Sequence, residues 1–377
     1  VQYKEYELGE LLPFEQPTAY IVKSTDYNDS YSTPVLTAGK SFILGKTNEK
    51  YGIFDQLPVI IFDDFTTATQ FVNFKFKVKS SAMKILHINT ALVMPKYIFY
   101  RLQIIQFDHS THKRYWIQSY SKIKVSIPSL DEQSRIVSRI DELFSEIDKA
   151  VDTLKATKEQ LAVYRQAVLV DAFRVVTNST HLKIGYVCAK IVDCPHSTPK
   201  WEKNGKLCLR TTNFKRGYLD LQSPNYVSGE TFNDRNRRII PQPGDVLYSR
   251  EGSVLGIACT IPSNVYPCLG QRMMLLRSGE KLNNRYLMHY LNSPMVTNHV
   301  IATKGGTGSP HINVGDIKEF QIPIPSLEEQ SNIVRQIEEQ LSSCDNVEKT
   351  VDAILTQADA MRQSILKQAF EGKKDVY

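Results

Sequence analysis

The sequence predicts an α+β protein in which two pseudo-symmetric globular domains are joined by two long antiparallel helices that form a coiled coil. Three observations carry this prediction. A fourteen-residue motif occurs twice, a helical stretch without an internal Gly or Pro follows each copy, and a globular segment of short β-type runs precedes each copy. The motif runs Ile127-Pro-Ser-Leu-Asp-Glu-Gln-Ser-Arg-Ile-Val-Ser-Arg-Ile140 and returns as Ile324-Pro-Ser-Leu-Glu-Glu-Gln-Ser-Asn-Ile-Val-Arg-Gln-Ile337, with ten of fourteen positions identical at an offset of 197. Tyr164-Arg-Gln-Ala-Val-Leu-Val-Asp-Ala-Phe173 and Met361-Arg-Gln-Ser-Ile-Leu-Lys-Gln-Ala-Phe370 match at the same offset, so neither copy has gained or lost a residue between the blocks. A constant length of this kind belongs to a rod with a register, since loops tolerate insertions.

Residues 1–127 are read as the first domain, 128–173 as the first helix, 174–180 as a linker, 181–324 as the second domain and 325–373 as the second helix. Ser129 with Glu132, and Ser326 with Glu329, have the spacing of a capping box, in which the hydroxyl and the glutamate satisfy each other's orphan amides. Behind each cap, seam positions follow a 4,3 spacing: Ile136, Ile140, Leu143, Ile147, Ala150, Leu154, Thr157, Leu161, Tyr164 and Val168 in one copy, with Thr157 as the one weak step. The second copy gives Ile333, Ile337, Gln340, Cys344, Val347, Val351, Ile354, Ala358, Met361 and Ile365, with Gln340 as its weak step. So narrow a seam among charged faces is that of a paired coil. Each helix would be about 65 Å long at 1.5 Å per residue, and the short connections available require the pair to run antiparallel. The domains share an opening, Tyr6-Glu-Leu-Gly-Glu-Leu11 against Leu182-Lys-Ile-Gly-Tyr-Val187, and a late helical piece, Lys96 to Leu102 against Arg285 to Leu291. Between these, runs such as Val59 to Phe62, Phe71 to Val78, Asp245 to Tyr248 and Arg272 to Leu276 read as strands of a strongly bent sheet.

Composition narrows the function. The 377 residues carry 46 Lys and Arg against 40 Asp and Glu, a formal charge of +6, which suits an anionic partner without requiring one. Apolar residues at 42% support packed cores, and the longest apolar runs fall far below the roughly 20 residues of a membrane helix. The charged opening, Val1 to Leu12, lacks the apolar run of a signal peptide, and the six cysteines all lie beyond residue 187. Both features place the protein in the cytoplasm with free thiols. Cys194 and His196 have no second pair to complete a zinc site, no Asn-Pro-Pro-Tyr or Asp-Pro-Pro-Tyr tetrapeptide occurs, and no Walker-type loop is recognised. No catalytic residue, metal site or cofactor is therefore expected on this chain.

The paired Pro-Ser-Leu-acidic-Glu-Gln motifs, each opening a long helix after a domain of this size, resemble the spacer regions of type I restriction-modification specificity subunits. Val59-Ile-Ile-Phe-Asp-Asp-Phe65, Tyr248-Ser-Arg-Glu-Gly-Ser-Val-Leu-Gly256 and Gly305-Gly-Thr-Gly-Ser309 are similar to segments of that family's target recognition domains. The resemblance implies that each domain reads one half of a split double-stranded DNA target. It further implies two methyltransferase subunits carrying S-adenosylmethionine and restriction subunits using ATP and Mg. Adenine-specific methylation and ATP-dependent cleavage would belong to those partners. A coiled-coil adaptor that binds only proteins is the alternative reading.

DNA recognition needs cations for phosphates and hydrogen-bonding tips for base edges. In the first domain Lys75, Lys77 and Lys79 alternate with Phe74, Phe76 and Val78, as on one strand face, and His109, His112, Lys113 and Arg114 form a basic cluster beside Tyr115 and Trp116. In the second, Lys200, Lys203, Lys206 and Arg210 precede Arg235, Arg237 and Arg238, with Arg250, Arg272, Lys304 and His311 further on. The bland account is a solvated face for the lysines, a buried acidic pairing for Arg250 and a tight turn for the glycines at 305–308. Gln133, Arg165, Gln330 and Arg362 are candidates for holding the methyltransferase, or else simply finish the helix ends.

The rod reading makes a measurable prediction. Deleting Ile147 to Thr153 together with Cys344 to Thr350 removes one heptad from each helix and keeps both seams in register. About 10.5 Å of helix is lost, or roughly 3 bp of B-DNA. Methylome sequencing of cells carrying this variant should show a shorter gap between retained half-sites, or loss of binding; an active protein with an unchanged gap contradicts the ruler.

Overall fold

The computed structural model describes residues 3–37, 41–107, 114–176, 178–252, 254–303 and 311–371. Two helices of equal length dominate the chain, Leu130–Arg174 and Leu327–Glu371, with every boundary displaced by the same 197 residues as the motif. Ser129 and Ser326 stand just outside their helices, where each hydroxyl accepts the backbone N–H of Glu132 or Glu329. In the second copy the Glu329 carboxylate also accepts from the Ser326 hydroxyl and the Ser326 N–H, and these two bonds, the hydroxyl's first, hold its pKa below the ordinary range.

The chain forms two compact units, one of Val1–Leu154 with Ala353–Tyr377 and one of Lys155–Asp352. In the first unit a four-stranded antiparallel sheet has the order Phe14–Glu15, Met83–His87, Val59–Asp63, Thr69–Val72. In the second the corresponding order is Cys188–Asp193, Met273–Ser278, Val246–Ser249, Ala258–Thr260. Each unit also has a smaller sheet with one parallel pairing, Val35 beside Lys77 in the first and Cys208 beside Cys268 in the second. The expected bent sheet is thus two sheets, because the chain breaks before Lys77–Val78 and again before Met273 and passes from one sheet to the other.

The central strands carry apolar side chains on both faces because both faces are covered. Ile60, Phe62 and Leu86 pack with Tyr97, Trp116 and Tyr120, whereas Val59, Ile61 and Ile85 pack with Phe54 and Phe76 on the other side. In the second unit Val246, Tyr248, Met274 and Leu276 face one core, and Leu247, Met273 and Leu275 face another. Alternation along a strand delivers successive side chains to opposite faces, so one apolar run serves two cores. Among the described residues no helix is long and apolar enough to cross a membrane.

Within each unit the long helices run antiparallel. Arg362 pairs with Asp148 and lies over the Phe144 ring in the first, while Phe370 meets Tyr97. In the second, Arg165 pairs with Asp345 at 2.5 Å and Glu348 at 2.9 Å, and Lys158 reaches Asp352 at 2.7 Å. The buried stripe departs from the strict heptad reading. Ala150, Tyr164, Val347, Ile354 and Met361 are exposed, and Val137, Leu169, Val334 and Leu366 are buried in addition to the expected Ile136, Ile140, Ile147, Val168, Ile333, Ile337, Cys344 and Val351. A helix with 3.6 residues per turn drifts by about 20° per heptad. Near its ends each helix also packs on its domain, so Ile136 and Val137, or Ile333 and Val334, are buried side by side.

Gln133 and Gln330 fix where each helix meets its domain. Both are fully buried. Gln133 accepts the Met94 N–H at 2.7 Å and donates to the Leu92 and Pro128 carbonyls; Gln330 accepts the Asn283 N–H at 2.8 Å and donates to the Lys281 and Pro325 carbonyls. The bonded amides lie at the start of the short helices Pro95–Leu102 and Asn284–Asn292. About two turns further along each long helix, Lys96 and Tyr100 bond Asp141, and Arg285 and His289 meet Glu338.

Replacing Gln133 or Gln330 with Ala orphans three backbone groups, and an unmet buried group costs about 1–3 kcal/mol. Urea denaturation should show each variant destabilised by at least that much, with the two losses adding because they arise in different units. A loss below 0.5 kcal/mol, the ordinary range for a surface change, would mean that the amide is not a tie.

Candidate functional site

The sequence-derived cations fall into struts and presented groups, and the structure separates them by burial. Lys77 is a strut. It is buried, with its ammonium donating to the Tyr51 and Gly52 carbonyls at 2.6 and 2.9 Å and lying 3.2 Å from Glu49. The Glu49 carboxyl is held below its ordinary range chiefly by the Ser24 N–H, with Lys23 N–H and Lys77 adding to it. The single lysine face over Phe71 to Val78 therefore does not exist, because that run is two short strands in different sheets. Lys75 and Lys79 remain exposed, Lys75 beside Asp55 and Lys79 over the Tyr27 ring. Arg114 is exposed at the start of the helix Tyr115–Gln118, whose Tyr115 and Trp116 are buried core residues and not a surface aromatic patch. His109, His112 and Lys113 lie outside the described residues, as do Lys304 and the glycines at 305–308.

In the second unit two arginines are struts. Arg235, the last residue of the helix Gly229–Arg235, is buried and donates to the carbonyls of Leu269, Gly270 and Ser197. Arg250 is buried at the end of the central strand, forked onto Asp193 at 2.8 and 3.0 Å and paired with Glu251 at 2.7 Å. This is the acidic pairing that competed with DNA contact for Arg250, and it leaves no donor facing outward on a presented tip. The first unit has a buried ion pair at the equivalent strand end with charges exchanged, Lys84 3.3 Å from Asp64.

The presented set in this unit is Lys200, Lys203, Lys206, Arg210, Arg237, Arg238, Arg272 and His311, all exposed. Arg210 lies over the Trp201 ring at 5.4 Å and Arg237 pairs with Asp234. The backbone of His311 bridges Glu251. Trp201 was missed in the sequence; a tryptophan set among Lys200, Lys203 and Lys206 was the available signal. Arg272 adopts φ of +66°, in the left-handed region that an arginine rarely occupies.

The proposed partner anchors are corrected by the same criterion. Gln133 and Gln330 are buried and fully committed to the protein's own backbone, so no partner can reach them. Arg165 and Arg362 are mostly covered and tie one long helix to the other through Asp345 and Asp148, residues that are themselves 197 apart. The helices instead expose apolar side chains: Val163, Tyr164 and Val347 in the second unit, Ile354 and Met361 in the first.

No nucleophile or metal cluster emerges among the described residues. Groups of three or more His, Cys, Asp or Glu able to hold a metal are absent there. Burial pushes the Cys188 thiol up to about 12 and raises Cys194 and Cys259 as well, which keeps them protonated at neutral pH. Gly45-Lys46-Thr47, a tripeptide that the sequence reading passed over, lies in the strand Ile43–Thr47 and not in a loop before a helix, so it cannot cradle a phosphate as a P-loop does.

Three comparisons bear on this arrangement. The model of the type I restriction modification DNA specificity domain matches residues 1–160 and 192–357. The chain is 33% identical over 346 residues to the Type I restriction enzyme EcoR124I/EcoR124II specificity subunit of Escherichia coli, covering 89% of this chain and 85% of that one. Among solved structures it resembles a chain of a type I R-M system described for complex assembly and conformational transition, with TM-score 0.68, 19% identity and coverage of 98% and 97%. The HsdS subunit from Thermoanaerobacter tengcongensis gives TM-score 0.52 at 19% identity, with the same coverage.

Removing one member of a buried ion pair strands the other, at a cost of about 3–5 kcal/mol. Arg250→Ala and Lys77→Ala should therefore lose about that much in thermal or urea unfolding, while Lys200→Ala, Lys203→Ala and Arg238→Ala should stay within about 0.5 kcal/mol of the parent. Equal losses in both groups would abolish the division into struts and presented groups.

Proposed function

Since the chain belongs to the type I restriction-modification DNA specificity family, we propose that it is a specificity subunit that binds a split double-stranded DNA target and holds methyltransferase and restriction subunits on it. The observation that carries this reading is duplication at two levels. The family model matches two separate stretches, and each of the two units has a four-stranded sheet of the same strand order beside a smaller sheet with one parallel pair. Two domains with one scaffold and different exposed side chains suit the reading of two different half-sites.

In this proposal residues 1–127 and 181–324 are target recognition domains, 128–173 and 325–373 are spacers, and 174–180 connects them. Lys75, Lys79 and Arg114 face DNA in the first domain; Lys200, Lys203, Arg210, Arg237, Arg238, Arg272 and His311 do so in the second. Lys77, Arg235 and Arg250 shape these surfaces from beneath. The chain itself performs no chemistry: S-adenosylmethionine belongs to the methyltransferase partners, and ATP and Mg to the restriction partners. The exposed apolar residues of the paired helices, Val163, Tyr164, Val347, Ile354 and Met361, are the surface offered to the methyltransferase. The protein works in the cytoplasm, where its cysteines are free.

Exchanging residues 8–122 for the matching segment of a relative should change one half-site in methylome sequencing and leave the other intact; a change in both halves would defeat the modular reading. In binding titrations, each lysine or arginine that neutralises a phosphate contributes about 0.9 to the slope of log affinity against log salt. Lys200→Ala with Lys203→Ala should lower that slope by nearly two without changing the preferred sequence.

A further inference from the structure

We infer that Arg272 is the side chain through which the second domain reads a guanine in its half-site. This rests on the proposal that the domain binds DNA, and adds to it the residue and the base.

Gly270, Gln271 and Arg272 form the turn by which the chain leaves the strand Cys268–Leu269 in the smaller sheet and enters Met273–Ser278 in the larger one. The turn is held at almost every polar group. Gly270 N–H donates to the Leu209 carbonyl at 2.9 Å, so closely that a Cβ at Gly270 would lie 2.2 Å from that oxygen. The buried Arg235 guanidinium grips the Leu269 and Gly270 carbonyls, and the Arg250 N–H holds the Arg272 carbonyl at 3.0 Å. The Gln271 side chain is used at both ends, donating to the His196 carbonyl and accepting the Thr198 hydroxyl. Cys194 and Met273 exchange bonds just beyond.

Within this frame Arg272 is forced to φ of +66°, a conformation in which glycine would rest without strain. Its side chain is exposed and makes no hydrogen bond or ion pair with the described residues, whereas Arg237, Arg250, Arg277 and Arg285 are each paired with a carboxylate. A strained residue kept rigid by its surroundings, with its functional tip left open, is the form that binding sites take. The chemistry then selects the ligand. Phosphate contact needs charge but little orientation, and Lys200, two residues beyond Thr198, already supplies charge beside the turn. A guanidinium on a fixed backbone offers a directed fork, which matches the O6 and N7 acceptors of guanine in the major groove.

The test uses the complex with its methyltransferase. Methylome sequencing of the wild type defines the half-sites, and the domain exchange above assigns one of them to residues 181–324. Competition binding with duplexes substituted base by base in that half-site then compares wild type with Arg272→Ala, Arg272→Lys and Arg272→Gly. The wild type should favour guanine at one position by roughly 5- to 150-fold. Arg272→Ala and Arg272→Lys should lose that preference alone, keeping the other positions and the salt slope. Arg272→Gly should lose it too while melting no lower than the wild type, because glycine accepts the turn conformation, and this separates lost readout from lost folding. Uniform weakening across all sequences with a smaller salt slope would make Arg272 a phosphate contact and overturn the inference, as would an unchanged motif. Absence of any bipartite motif in the wild type would instead overturn the specificity reading on which the inference rests.

Discussion

The side-chain amides of Gln133 and Gln330 set the geometry on which the rest of the structure depends. A long helix leaving a domain can swing about its first turn unless something fixes that turn. A buried amide with one acceptor and two donors in use fixes it in three directions at once. The acceptor is met by the N-cap amide of a short domain helix, which has no partner within that helix, while the donors reach carbonyls at the start of the long helix and in the domain, so one side chain joins the starts of two helices. The acidic residue about two turns later, Asp141 or Glu338, adds a second point of attachment, and two points define a direction. Each long helix thus begins as a rigid continuation of its domain.

Where the helices meet one another, a different arrangement holds them. The seam is only partly apolar, with Gln340 and Thr157 at core spacings and Tyr164, Val347, Ile354 and Met361 turned to solvent. Ion pairs between the helices compensate: Arg165 with Asp345 and Glu348 in one unit, Arg362 with Asp148 in the other. Partly exposed pairs of this kind contribute little stability, about 0–1 kcal/mol each. The uncovered apolar side chains are the surface proposed for the methyltransferase.

The end domains show how one residue type serves opposite ends. Arginine is always charged and its five donors need acceptors, so a buried arginine becomes a brace wherever carbonyls or carboxylates converge. Arg235 braces a turn through three carbonyls, and Arg250 braces a strand end through two carboxylates. Exposed on a held backbone, the same side chain becomes a probe, as at Arg272. In the first domain the residue after the matching strand is an acid, Asp64, and its buried partner Lys84 stands on the neighbouring strand Met83–His87.

Much of the architecture was legible in the sequence because it rests on period and repetition. The 197-residue offset, the caps at Ser129 and Ser326 and a 3.5-residue spacing with one polar step in each copy depend only on neighbours along the chain, and they determined two equal helices and two related domains. Which cations are struts was not legible. Lys77 and Lys79 differ by two positions in a run that reads as one strand, and only the break that sends the chain into a second sheet buries one and exposes the other. Gln133 reads as a polar residue on a helix surface until the Met94 amide, 39 residues earlier in the chain, is brought against it. Local pattern determines elements because its forces act within a turn or two. Tertiary structure alone decided burial, and with it which charged groups hold the protein together and which face a partner, because burial is set by contacts between residues far apart in the chain.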